Sequence, residues 1–279
     1  MATTPGTATR AGNVPAPVIN PFQCYEIKPK PFAPIPGVQV IDRFGAHVAR
    51  VRFPHRLCAP GVLAPRAAVV EEHLIGHLMS SPNLHVTNQT VVNQFGTLQL
   101  DVSRPDLLLV PTQKSLFQTP PPLPNPTVDH FQCYRVRRSR GAAGFVPVKN
   151  IVVTDQFGTA TVDLVRVARL CVPANKNDED PTAPSHPTDL LCYRTRNSRF
   201  GTVQTYTNSQ FGPEEPLLIH RRELCVPSTR TPPTTTTTTS TSTTIETSTT
   251  FPSSTTFPPD TTTTTTTMVP TSTTFPPIP

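Results

Sequence analysis

Four features of this sequence have residue types and spacings that could carry chemistry. They are six cysteines, two histidines four residues apart, two runs of arginine, and the tetrapeptide Asp155-Gln156-Phe157-Gly158. His73 and His77 have the i, i+4 spacing of helical zinc proteases, but Ile75-Gly76 stands where the general-base Glu would be. The tetrapeptide shares letters with the Asp-Phe-Gly of kinases. The inserted Gln breaks that match, and no Gly-rich loop accompanies it. No Gly-x-Ser-x-Gly and no convergent Ser/His/Asp set is present, so an enzyme is not expected, and neither a cofactor nor a metal. Arg135, Arg137, Arg138 and Arg140 form one basic run, and Arg194, Arg196 and Arg199 form another. On a strand Arg135 and Arg137 share a face and could hold phosphate, sulfate or a carboxylated polysaccharide. They could equally be a solvated surface that keeps a sheet edge from pairing.

The same tetrapeptide explains how the elements are organised, because it recurs. Asp42-Arg43-Phe44-Gly45, Asn93-Gln94-Phe95-Gly96 and Ser209-Gln210-Phe211-Gly212 repeat it. Fourteen residues after each Phe come Cys58, Leu109, Cys171 and Cys225, and each is followed two residues later by Pro60, Pro111, Pro173 or Pro227. Upstream lie Phe22-Gln23-Cys24-Tyr25, Leu74-Ile75-Gly76-His77, Phe131-Gln132-Cys133-Tyr134 and Leu190-Leu191-Cys192-Tyr193. Four units of about 40 to 45 residues are therefore expected. Each has an opening strand and a hairpin turned by Asx/Ser-x-Phe-Gly, where the Asx side chain bonds its own backbone and Gly supplies positive φ. Leu98, Leu100 and Val102 alternate with polar residues, as a half-buried strand does. Pro213 and Pro216 interrupt the post-turn strand of the fourth unit and point to a sheet edge.

The cysteines fall two to a unit, except that unit two has Gly76 and Leu109 in their places. The joint loss favours pairing within a unit. Of the fifteen connectivities six cysteines allow, it selects Cys24–Cys58, Cys133–Cys171 and Cys192–Cys225. No Cys-x-x-Cys occurs, which argues against zinc. Disulfides imply an oxidising setting: extracellular, cell-surface or periplasmic.

The pattern Phe-x-Cys-Tyr, Asp-Gln-Phe-Gly and Leu-Cys-Val-Pro, clearest over His130 to Lys176, resembles an uncharacterised bacterial family of extracellular repeat domains. The resemblance implies export and a bacterial source, and it implies no reaction. The cysteine-free second unit departs from it.

The chain as a whole is expected to be all-β, with the units packed as small sandwich- or barrel-like pairs. Residues 1–20 would be disordered, 21–116 would hold units one and two, and 117–128 a Pro-rich linker. Residues 129–228 would hold units three and four, and 229–279 a disordered Thr/Pro-rich stalk of the O-glycosylated type. The 36 prolines disfavour long helices. No run of eighteen apolar residues exists, so no membrane span is expected. The segment 1–20 lacks an apolar signal core, so any export signal would lie outside this chain. A formal charge of +6 is modest, and aromatics do not interleave with the arginines, so nucleic acid is not expected as a partner. The leading expectation is an exported structural or adhesive module, its partner a surface polysaccharide or another surface protein. The alternatives are a polyanion binder using the arginine runs, or a hydrolase with its site between pairs of units.

Overall fold

A computed structural model describes residues 19–63, 72–196 and 199–231. The expectations for residues 1–18 and for the Thr/Pro-rich segment beyond residue 231 lie outside the described residues. The strands are β1 (Phe22–Ile27), β2 (Ile35–Asp42), β3 (Gly45–Pro60), β4 (Val62–Leu63), β5 (His73–Ser80), β6 (Val86–Asn93), β7 (Gly96–Ser115), β8 (His130–Arg138), β9 (Val148–Asp155), β10 (Gly158–Lys176), β11 (Thr188–Arg196), β12 (Val203–Gln204), β13 (Tyr206–Ser209), β14 (Gly212–Glu214) and β15 (Leu217–Thr231). One 3-10 turn, Ala183–Ser185, lies between β10 and β11. Among the described residues no helix is long and apolar enough to cross a membrane.

Each Asx/Ser-x-Phe-Gly segment joins two antiparallel strands, β2–β3, β6–β7, β9–β10 and β13–β14. The local cause is visible at all four turns. The Phe44 backbone N–H donates to Asp42 Oδ1 at 2.7 Å, and those of Phe95, Phe157 and Phe211 donate to Asn93, Asp155 and Ser209. Gly45, Gly96, Gly158 and Gly212 have φ between 95° and 129°, a backbone geometry that a Cβ would strain.

The strands belong to one antiparallel sheet, and eight of them close on themselves. β1 pairs with β3, β3 with β5, β5 with β7 and β7 with β8; β8 pairs with β10, β10 with β11, β11 with β15, and β15 returns to β1. The units thus share one ring rather than standing as two pairs. β7 and β8, on either side of the Pro-rich linker, are directly paired. A barrel removes the open edges that two small pairs would expose. β3, β7 and β10 each serve twice. The first half of each belongs to a hairpin arm, the second half is a stave of the barrel, and register shifts mark the passage at Pro54 and Pro105. The edge expected in unit four is β14, which carries Pro213 and pairs with β13. β15 lies inside the ring, and it runs to Thr231, so its last three residues, Thr229–Thr231, are strand rather than stalk.

The arms do not fold back on their own units. β2 of the first unit adds to the end of β10 in the third, and β9 of the third adds to β4, which follows β3 of the first. β6 of the second unit adds to the end of β15 in the fourth, and β13 of the fourth adds to the end of β7 in the second.

The barrel is filled. One buried apolar cluster draws residues from all eight staves, among them Phe22, Leu74, Phe131, Leu190 and the six cysteines. Two further clusters lie beneath the arms. The disulfides join directly opposed residues, Cys24–Cys58, Cys133–Cys171 and Cys192–Cys225. Sulfurs of neighbouring bridges touch, with Cys24 Sγ 3.6 Å from Cys225 Sγ and Cys171 Sγ 3.7 Å from Cys192 Sγ. In the second unit Gly76 and Leu109 are opposed in the same way, and the Leu109 side chain fills the missing bridge's space. A Cβ on Gly76 would lie 2.8 Å from Leu109 Cδ2, so the two residues depart from the pattern as a pair.

Candidate functional site

The residue after each opening cysteine position, Tyr25, His77, Tyr134 or Tyr193, meets the turn of the unit two places away. Tyr134 donates to Asp42 Oδ2 at 2.5 Å while the Phe44 ring stands edge-on to it at 5.2 Å. Tyr25 donates to Asp155 Oδ2 at 2.5 Å, with Phe157 edge-on at 4.9 Å. Tyr193 pairs with Asn93 at 2.9 Å and with Phe95 at 5.5 Å. The fourth contact differs. His77 Nε2 lies 2.8 Å from Glu214 Oε1, with Phe211 edge-on to its ring. The recurring Asp, Phe, Tyr and Cys are thus used up in holding arms to barrel and stave to stave. Burial raises the Tyr25 and Tyr134 hydroxyls well above the usual tyrosine range, and the adjoining carboxylates raise them further. Burial also lifts Asp42 to about 6, although Tyr134, the Phe44 N–H, Arg230 and Arg43 all favour its charge.

The barrel is polar at one end. Two residues before the closing cysteine positions, facing inward, come Arg56, Leu107, Arg169 and Glu223. Two residues after the opening ones come Glu26, Leu78, Arg135 and Arg194. Glu223, 2% exposed, receives a hydrogen bond from Arg169 Nη1 at 2.5 Å and lies 3.7 Å from both Arg56 and Arg194. Arg169 also grips Asp106 through Nε at 2.9 Å and Nη2 at 3.2 Å, and Arg135 Nε reaches the same carboxylate at 2.8 Å. Arg222 pairs with Glu26 at 2.7 Å. Burial works against the Arg169 charge, but Glu223 and Asp106 outweigh it and hold its pKa above the usual value. Burial likewise opposes the Glu223 charge, and Arg169 and Arg56 overcome it, keeping that carboxyl low. Burial lowers Arg56 in spite of Glu223, and lowers Arg194 together with the neighbouring Arg222.

The two arginine runs do not form one patch. Arg135 and Arg194 enter the network at the barrel's polar end. Arg137 lies 3.4 Å from Asp101, and its Nη2 is 3.1 Å from His85. Arg138, Arg140, Arg196 and Arg199 are exposed. Arg56, Arg169, Asp106 and Glu223 were not singled out from the sequence. For Arg56, Arg169 and Glu223 the signal is a charged side chain at the inward parity of a stave, where alternation calls for an apolar one, whereas Asp106 sits at the register irregularity between Pro105 and Leu107. His73 and His77 lie on β5, where His77 is buried against Glu214 and His73 bonds Gln156. Asp129, Asp180 and His186 bring donor atoms within 4.8 Å of one another. These atoms bond each other and Thr182, with His186 Nδ1 2.9 Å from Asp129 and Thr182 Oγ1 2.6 Å from Asp180.

Residues 77–227 match the family model described as a repeat of unknown function, DUF7450. The chain belongs to that family. The matched DUF7450 region starts in β5, ends in β15, and holds the turns of units two, three and four. No curated protein and no solved structure matches the chain. The DUF7450 description names a repeat and no reaction, in keeping with a module whose recurring residues are structural.

Proposed function

We propose that this DUF7450 protein is a non-catalytic structural or adhesive module, exported to an oxidising compartment and built to present its surface there without unfolding. A bacterial envelope is the setting its sequence resemblance implies. One observation carries the reading: the residues that recur from unit to unit are spent on bridges between neighbouring staves and locks between arms and staves. Catalysis needs singular titratable groups converging on an open cleft. The lumen here is instead packed with sulfur, leucine and phenylalanine. Three disulfides with loops of 33 to 38 residues each contribute about 3–4 kcal/mol by the chain-entropy model, which suits a protein with no chaperones at hand.

The test is non-reducing peptide mapping of the full chain made with an export signal. Bridged peptides for all three pairs, no free thiol, and loss of the fold on reduction are expected. A protein that folds equally well in a reducing cytosol, with its cysteines as thiols, would overturn the reading.

A further inference from the structure

We infer that the polar end of the barrel is a binding site for a single oxyanion group, a sulfate ester or a carboxylate. Five guanidiniums gather there, on Arg56, Arg135, Arg169, Arg194 and Arg222, against three carboxylates, on Glu26, Asp106 and Glu223, leaving an excess of two positive charges. Three of the five share one carboxylate oxygen, Glu223 Oε1. Each guanidinium has five donors in a fork that matches an oxyanion, so one oxygen cannot satisfy three of them. Arg56 is only 3% exposed, and its Nε has no partner among the described residues. A buried donor of this kind is costly to leave unmade. Arg194 and Arg222 are 28% and 39% exposed and reach solvent from the same network, so an anion can approach along them.

The same chemistry could come from free inorganic sulfate or from sulfate and uronate groups on a polysaccharide. The inference takes only its choice of ligand from the display reading. Binding can fail with every disulfide in place, and the disulfide map can fail with binding intact, so the two are separable.

The experiment is calorimetric titration of the full oxidised chain with sodium sulfate and with a sulfated oligosaccharide of defined length. A saturable site is expected, with sulfate competing against the oligosaccharide. Arg194→Gln combined with Arg222→Gln should weaken it about tenfold or more, while Arg138→Gln combined with Arg140→Gln should change it less than about twofold. Much tighter binding of the oligosaccharide assigns the ligand to a polymer, and equal affinity assigns it to the free ion. Both outcomes support the site. Thermal unfolding checks that the variants fold, and Arg194→Lys, which keeps the charge and loses the fork, gives a second reading. No saturable binding by either probe, or equal loss from both double variants, overturns the inference.

Discussion

The Tyr134 hydroxyl donates to Asp42 Oδ2 at 2.5 Å, tying the opening strand of the third unit to the turn of the first. The other oxygen of the same carboxylate caps the turn itself. One side chain therefore fixes both the local hairpin and its distant seat. Tyr134→Phe should cost about 1.5–3 kcal/mol, the usual range for a bond to a charged group. Tyr193→Phe should cost less, because its partner Asn93 is neutral. Urea unfolding of the two variants side by side checks the order, and an equal cost would speak against a charge-assisted lock.

Asp42 also sets a pH dependence. Its carboxyl titrates near 3.8 in an unfolded chain and at about 6 in the fold, where burial disfavours the charge. The folded state therefore holds the extra proton between those values. Stability from this group is fully present below about pH 4 and is lost as pH rises through 6, an effect of about 3 kcal/mol. His55, lowered by burial to about 4, acts in the opposite sense and costs stability as pH falls below 6.5. Asp42→Asn isolates the carboxyl. The variant should fold, because Asn93 fills the same role in the second unit. Relative to the parent it should gain stability between pH 4 and pH 7, as measured by unfolding across that range.

Gly76 and Leu109 stand where the other units are bridged. Gly76→Ala places a methyl against Leu109 and should cost about 1–3 kcal/mol. Gly76→Cys with Leu109→Cys should instead form a fourth disulfide, since the two positions are opposed in register as Cys24 and Cys58 are. Closing that loop should add about 3–4 kcal/mol. Peptide mapping and thermal unfolding decide whether the bridge forms.

Glu223 is the acidic centre of the barrel's polar end. Glu223→Gln leaves Arg56, Arg169 and Arg194 facing one another without it, and should destabilise the protein by about 3–5 kcal/mol. A smaller loss on replacing Arg194 than on replacing Arg169 is expected, because Arg194 is partly solvated. Denaturant titration of the three variants measures the series.

Much of the local structure was legible in the sequence. Period-two alternation marks the strands around Leu98, Leu100 and Val102, and the Asx-x-Phe-Gly tetrapeptides mark the turns. The joint absence of cysteine at Gly76 and Leu109 pairs the remaining six within their units. The crossing of the arms was not legible from spacing, because it depends on contacts such as Tyr25 with Asp155, 130 residues apart. A weaker signal of it exists. The second unit alone has His77 in place of Tyr, and the fourth alone has Ser209 in place of Asx. These two departures face each other, and Glu214 supplies the missing carboxylate. The charged end was missed for a different reason. Arg169 and Glu223 are inward-facing on staves whose role as staves follows only from ring closure.

Ring closure also constrains the order in which the chain can fold. β1 needs β15, some 200 residues later, before it has both neighbours, and the arms of units one and two wait for units three and four. Units one, two and three are each incomplete when their last residues leave the ribosome, because each pairs with strands made later, so folding cannot proceed unit by unit from the N-terminus. Contacts of such long sequence separation make for slow, cooperative folding. β15, the last strand to be made, is therefore the stave that closes the ring, and the first strand of the chain gains its second neighbour only then.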